Sequence, residues 1–167
     1  FYSDEFVDIA AYISKIESTT PSNWAKQYVD KAIETDLLPE YLRGNYQNNI
    51  TRAEFCTLIT RLIEIKKDDA IQEIVKKAPY NPQLFKDSYY SYVYYMACLG
   101  IVNGVNEDEF NPLGEITREQ AATLLMRTAE YFGIDTNAQE YKNAGVSDWA
   151  KKGVNFVIQN NIMTGTD

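Results

Sequence analysis

Apolar residues recur along this chain with the three-to-four-residue spacing of amphipathic helices, not with the alternation of strands. Residues 25–33 and 150–158 each place apolar side chains at positions i, i+4, i+7 and i+8. Helical stripes of this kind also occur in residues 1–18, 55–63, 66–77 and 121–129. Polar loops containing Gly, Asn and Pro separate the main stripes. The pattern therefore predicts an all-α fold of helix-loop-helix units, with an extra helix at the N-terminus.

Two phrases recur in register and indicate internal repeats. A Trp-Ala pair begins at Trp24 and again at Trp149, 125 positions later. An Ile-Thr-Arg phrase ends at Arg52 and again at Arg118, 66 positions later. Repetition at about 60 residues is typical of supersecondary units that cannot bury their apolar faces alone. The predicted boundaries are an N-terminal helix at 1–19, repeat 1 at 20–66, a helical connector at 67–83, repeat 2 at 84–134 and an incomplete repeat 3 at 135–167.

Composition narrows the classes of function. The 167 residues carry 16 Lys plus Arg against 24 Asp plus Glu, and this net charge of −8 argues against a nucleic-acid partner. No apolar run approaches the roughly 18 residues of a membrane span, so membrane insertion is not expected. Cys56 and Cys98 lie in apolar patterns and are expected to be buried free thiols. Because the chain begins at Phe1 without Met, we expect a processed product or an excised piece.

Neither catalysis nor a bound cofactor is predicted. The absence of histidine removes the usual Ser-His-Asp and Cys-His chemistry and His-ligated zinc. Neighbouring acids such as Asp68 and Asp69 do not face each other across a substrate as the carboxyl groups of glycosidases do. The loop at 103–109 lacks the ligand spacing of a calcium loop, so no metal site is expected.

The two Thr-Arg phrases combine structural and chemical signals. Thr51 and Glu54 have the spacing of a capping box, and the same pattern recurs 66 positions later. An arginine at the first helical position gains nothing from the helix dipole. Arg52 and Arg118 therefore either pair with a neighbouring acid or bind an anionic group, because a guanidinium beside free helix N–H groups suits a carboxylate.

The aromatic residues also allow two interpretations. Trp24 and Trp149 either pack over a junction between repeats or offer the indole ring to a sugar and its N–H as a donor. Five of the 13 tyrosines fall in residues 89–95, where a helix would carry Tyr on every face and expose some of them. These tyrosines either pack at the rim of the core or form an aromatic interaction surface.

Taken together, the motifs resemble the S-layer homology (SLH) family over residues 20–167. The motifs are Phe85-Lys86-Asp87, Gly100 to Gly104, Phe110-Asn111-Pro112, the two Ile-Thr-Arg phrases and the two Trp-Ala pairs. The resemblance implies SLH repeats, usually three, around a pseudo-threefold axis. It further implies non-covalent anchoring of an exported bacterial protein to cell-wall polysaccharide, often an acidic, pyruvate-modified one. The expected location is extracellular, at the cell wall or S-layer, with surface-layer or passenger domains of the parent protein as further partners.

The resemblance also implies where the glycan binds. In the family, a groove between successive repeats combines the Arg of one repeat with the Asp, Trp and Gly phrases of the next. Carried over to this chain, the more complete groove consists of Arg118, Asp148, Trp149 and Gly165. A second groove consists of Arg52, Asp87 and Gly104, with Ser88 at the Trp position and Tyr89 or Tyr90 as substitutes. Trp24 belongs to a third groove whose arginine is missing from this chain.

An alternative hypothesis is a structural or protein-interaction module on the cell surface in which the glycan grooves are degenerate. Ser88 at the Trp position and the tyrosine run of residues 89–95 are the observations that favour it.

Overall fold

The computed structural model describes residues 20–78, 85–141 and 145–163, and the secondary structure of these residues is helical without strands. The predicted all-α class is therefore confirmed. Contacts divide the chain into two compact units, residues 1–49 and residues 50–167, and each is described by itself. The predicted N-terminal helix at 1–19 and the predicted site residue Gly165 lie outside the described residues. The repeat boundaries and the pseudo-threefold axis remain predictions.

The first unit contains helix α1 (Asn23–Glu34) and a 3₁₀ turn (Glu40–Leu42). The predicted apolar face of α1 is present: Ala25, Val29 and Ile33 are half-buried, while the charged residues around them are exposed. No residue of α1 is fully buried. The apolar stripe thus correctly predicts which face of α1 is the less exposed one, although the side chains on that face keep partial contact with solvent.

The second unit contains the remaining described helices. They are α2 (Arg52–Lys67), α3 (Ile71–Lys76), α4 (Ser91–Cys98), α5 (Arg118–Tyr131) and, after a 3₁₀ turn at Asp148–Ala150, α6 (Lys151–Gln159). Both predicted capping boxes are confirmed. At the start of α2 the Thr51 hydroxyl accepts from the Glu54 N–H while the Glu54 carboxylate accepts from the Thr51 N–H, and Thr117 and Gln120 do the same for α5.

The core of the second unit consists of two clusters. In the first, α2 packs against α4, and its most deeply buried side chains are Cys56, Ile63, Ile71, Val93, Met96, Ile101 and Phe110. In the second, α5 packs against α6 through Ala122, Met126, Ala129, Phe156 and Val157. Cys56 and Cys98 are buried free thiols, and burial raises the pKa of the Cys56 thiol to about 12. Both thiols therefore behave as small apolar core groups.

The two Ile-Thr-Arg phrases lie antiparallel to each other. Thr51 forms an isolated bridge with Glu115, and the Arg52 N–H donates to the Gly114 carbonyl at 2.9 Å. The second helix of predicted repeat 1 is thereby fixed to the loop of predicted repeat 2. The helix pairs α2 with α4 and α5 with α6 join elements of successive predicted repeats in the same way.

Candidate functional site

Arg52 is held inside the fold by backbone carbonyls. Only 6% of the residue is exposed, Nε donates to the Phe110 carbonyl at 2.8 Å, and Nη2 donates to the Asn103 carbonyl at 3.4 Å. The guanidinium also lies over the Phe110 ring, 4.3 Å from its centre. Burial lowers the pKa of Arg52, although the neighbouring Cys56 and Asp87 groups oppose this effect. The hydrogen bonds of Arg52 thus go to backbone carbonyls, whereas one expectation from the sequence was an ion pair with a neighbouring acid.

Asp87 organises the loop that receives Arg52. Its two carboxylate oxygens accept hydrogen bonds from the N–H groups of Phe110 at 2.8 Å and Asn111 at 2.7 Å. Burial raises the pKa of Asp87, but these backbone donors and the Arg52 charge outweigh it, so the pKa lies below its usual value. Asp87 thus fixes the Phe110 carbonyl at the place where Arg52 binds it.

Gly104 allows the same loop to close tightly. A side chain at this position would overlap the carbonyl oxygens of Asn106 and Glu109. Hydrogen bonds within the loop add to this closure: the Asn106 side-chain oxygen accepts from the N–H groups of Asp108 and Glu109. These contacts give the polar groups of Asn106, Asp108 and Glu109 hydrogen-bond partners within the loop. Among the described residues, no cluster of three or more acidic or thiol side chains could hold a metal ion.

Trp149 is brought to the edge of α5 by the turn that precedes α6. The Ser147 N–H donates to the Glu119 carboxylate at 2.8 Å, and Ala150 is completely buried. Gly153 follows in α6 and lies so close to α5 that an added Cβ would be 2.7 Å from the Thr123 Cα. The tryptophan itself remains 58% exposed. The sequence predicted a helix opening at this residue, and a 3₁₀ turn leading into the helix is observed.

A groove of about 380 Å³ lies between the 103–105 loop, α5 and Trp149. Its lining residues are Arg52, Asn103, Gly104, Val105, Gln120, Thr123, Leu124, Arg127 and Trp149. Two residues from one predicted groove, Arg52 and Gly104, thus lie around the same space as Trp149 from the other. The wall contributed by α5 is a helical stripe, because its members recur at i, i+3, i+4 and i+7.

Arg127 lines the groove although it belongs to none of the recurring sequence motifs. The side chain is half-buried in the third turn of α5, and Nη1 donates to the Ile101 carbonyl at 3.4 Å. With the Asn103 amide donating to the Val102 carbonyl, the Asn103 side-chain oxygen accepts from Arg127 Nη2 at 3.1 Å. The i+7 spacing from Gln120 was the sequence signal that could have placed Arg127 on this wall.

The other predicted site residues lie elsewhere. Arg118 is exposed at the first position of α5, and it does not line the groove. Asp148 is exposed and forms an ion pair with Lys151, which lowers the pKa of the Asp148 carboxyl. In the first unit, Trp24 is 77% exposed. The groove formed by Arg118, Asp148, Trp149 and Gly165 therefore remains a prediction, with its last residue outside the described part of the chain.

The second unit is thus a helical module in which α2 packs against α4 and α5 against α6, with a surface groove between the 103–105 loop, α5 and Trp149. Residues 86–122 match the family model of the S-layer homology domain, which confirms the resemblance drawn from the motifs. The matched segment begins one residue before Asp87 and ends in the first turns of α5, so it includes the loop side of the groove.

Similar proteins from several bacteria carry matching segments. A surface-layer 125 kDa protein of Lysinibacillus sphaericus is 27% identical over 87% of this chain and 12% of its own length. An amylopullulanase of Thermoanaerobacterium thermosulfurigenes is 26% identical over 99% of this chain and 9% of its own length. A cellulosome-anchoring protein of Acetivibrio thermocellus is 25% identical over 80% of this chain and 30% of its own length. The chain thus spans about an eighth or less of the first relatives it matches. None of the described helices combines the length and apolar character required to cross a membrane.

Proposed function

We propose that this chain is a non-covalent anchoring module that retains a bacterial protein at the cell surface by binding cell-wall polysaccharide. The S-layer homology match and the relatives named for the surface layer and for cellulosome anchoring support anchoring as the general function. The relatives named as enzymes match over a small fraction of their length, so we assign any catalysis to other domains of a parent protein.

The observation that carries the proposal is the groove shared by Arg52, Gly104 and Trp149. It combines buried positive charge, loop backbone and an exposed indole ring, and these groups suit a sugar with an acidic substituent. We propose an acidic, pyruvate-modified wall polysaccharide as the ligand class. The net charge of −8 is compatible with this, because only the groove has to be positive.

Sedimentation with purified cell-wall sacculi tests the proposal and separates the two candidate grooves. Trp149→Ala is expected to abolish co-sedimentation, whereas Tyr28→Ala, at another exposed aromatic residue, is the matched control and should bind as the wild type does. Loss of binding in Arg118→Ala would favour the groove predicted from the sequence, and its retention would favour the groove lined by Arg52. If the wild type remains in the supernatant with sacculi of several surface-layer bacteria, anchoring to polysaccharide is refuted.

The alternative is a protein-interaction module, and one observation favours it. Tyr89 is 97% exposed and Tyr90 is 45% exposed, next to Ser88 at the expected Trp position. Under this alternative, Tyr89→Ala would reduce surface retention while Trp149→Ala would not. Sedimentation of both variants with purified sacculi and with cell walls that retain their surface proteins distinguishes the two functions.

A further inference from the structure

We infer that Arg127 is the groove residue that binds an anionic group of the glycan, a carboxylate, and that Asn103 positions its guanidinium for this contact. This inference rests on the proposed function and assigns the charged contact to a residue outside the recurring motifs. It concerns the same groove of about 380 Å³.

The surroundings of Arg127 leave its charge without a close anionic partner in the described part of the chain. The two acceptors of its guanidinium are neutral oxygens, the Ile101 carbonyl at 3.4 Å and the Asn103 side chain at 3.1 Å. Burial lowers the pKa of Arg127, and the charge of Glu130, three positions along the same helix, opposes this effect. A half-buried cation that bonds to neutral acceptors is stabilised when an anion joins it.

The hydrogen-bonding capacity of Arg127 fits a carboxylate. A guanidinium carries five N–H donors, and two of them bond to the described residues Ile101 and Asn103. Donors remain for a forked contact with the two oxygens of a carboxylate, which is the geometry that Arg offers and Lys does not. Trp149 lines the same groove and supplies an aromatic face for the sugar that carries the carboxylate.

Arg52 is less suited to this contact. It is 6% exposed, and its hydrogen bonds to Phe110 and Asn103 together with its position over the Phe110 ring fix it within the loop. Asn103 lies between the two arginines: its main-chain oxygen accepts from Arg52 and its side-chain oxygen from Arg127. Two guanidinium groups thus bond to one residue, and both charges would attract an anion that enters the groove.

The experiment compares one polysaccharide in two chemical forms. Wall polysaccharide purified from Lysinibacillus sphaericus is used as isolated and after reduction of its carboxyl groups to alcohols, and affinities are measured by titration calorimetry. The wild type should bind the native form about ten- to a hundredfold more tightly than the reduced form, as expected for loss of a charge-assisted contact. Arg127→Gln should bind both forms with the same affinity, and this affinity should equal that of the wild type for the reduced form.

Further variants separate binding from folding. Arg61→Gln alters a half-buried arginine that pairs with Glu64 outside the groove, and it should discriminate between the two forms as the wild type does. Asn103→Asp gives Arg127 an internal carboxylate, so it should weaken binding of the native form selectively. If Arg127→Gln does not fold, Arg127→Lys replaces it and should lose most of the discrimination, because the forked contact is lost.

The outcomes are distinct. Continued discrimination by folded Arg127→Gln, or undiminished discrimination by Arg127→Lys where that variant is used, overturns the inference and leaves the anchoring function intact. Equal binding of both forms by the wild type also overturns it, because the contact is then not with a carboxylate. If the wild type binds neither form of the polysaccharide and also fails to sediment with sacculi, the proposed function itself fails, and the inference fails with it.

Discussion

Replacing Arg52 with alanine should destabilise the second unit, whatever its effect on binding. The substitution removes the 2.8 Å bond to the Phe110 carbonyl and the contact with the Phe110 ring, and leaves a buried carbonyl without this donor. A hydrogen bond from a charged donor contributes about 1.5–3 kcal/mol and a cation–π contact about 0.5–2 kcal/mol. Release of the buried guanidinium to solvent offsets part of this sum. We expect a net loss of about 3 kcal/mol in the free energy of unfolding, or roughly 10 °C in melting temperature.

Urea unfolding followed by circular dichroism at 222 nm measures this loss. Arg52→Lys keeps the charge without the fork and should fall between the wild type and Arg52→Ala. Arg118→Ala is the matched control: the same motif position on α5 is exposed, so its free energy of unfolding should fall by less than that of Arg52→Ala. If Arg52→Ala unfolds at the wild-type urea concentration and loses only glycan binding, a structural role for Arg52 is refuted.

Other predictions concern the supports of the groove. Gly153→Ala should lower the free energy of unfolding by about 1–3 kcal/mol. The added Cβ would overlap the Thr123 backbone, and the cost of this overlap should exceed the roughly 1 kcal/mol that alanine gains over glycine in a helix. A rise in melting temperature would contradict this. Asp87→Asn should cost about 1–3 kcal/mol in urea unfolding, because an amide can accept only one of the two loop N–H bonds; an unchanged midpoint would refute it. The hydrogen-bonded ion pair with Lys152 and a hydrogen bond from Thr136 hold the pKa of Glu130 below its usual value, although partial burial opposes them. Glu130 therefore stabilises the fold above about pH 4.5, and this contribution is lost as the pH falls through its lower folded pKa. Glu130→Gln should be less stable than the wild type at pH 7, and the difference should disappear in melts at strongly acidic pH; a constant difference would show that the charge is not its cause.

Local chemistry made the helices and their starting points predictable. The capping box of Thr51 and Glu54 depends on residues three positions apart, so the sequence contains all of its parts. The apolar stripe of α1 is likewise a property of one helix, and its members are the half-buried residues of that helix. Part of the S-layer homology resemblance followed from motifs within the segment matched by the family model, namely Gly100 to Gly104, Phe110-Asn111-Pro112 and the phrase ending at Arg118, while the Trp-Ala pairs and the phrase ending at Arg52 lie outside it.

The composition of the groove was less predictable because its contacts join distant parts of the chain. Arg52 binds the carbonyl of Phe110, 58 positions away, and a backbone acceptor leaves no mark in the side-chain sequence. Trp149 lines the same space because the turn before α6 bonds to Glu119 and because Gly153 lets α6 approach α5 closely. Arg127 belongs to no recurring phrase, and its role depends on a loop residue, Asn103, that is 24 positions earlier.

The pairing of helices across sequence repeats determines how such a module can be shuffled between genes. A crossover between genes at the predicted boundary near residue 66 would separate α2 from the α4 against which it packs, and Arg52 from the loop whose Phe110 carbonyl it binds. A cassette cut immediately before each Ile-Thr-Arg phrase, at residues 50 and 116, instead carries α2, α4, Arg52 and the 103–110 loop together. A segment that keeps these contacts intact is thus offset by about half a repeat from the predicted repeat boundaries.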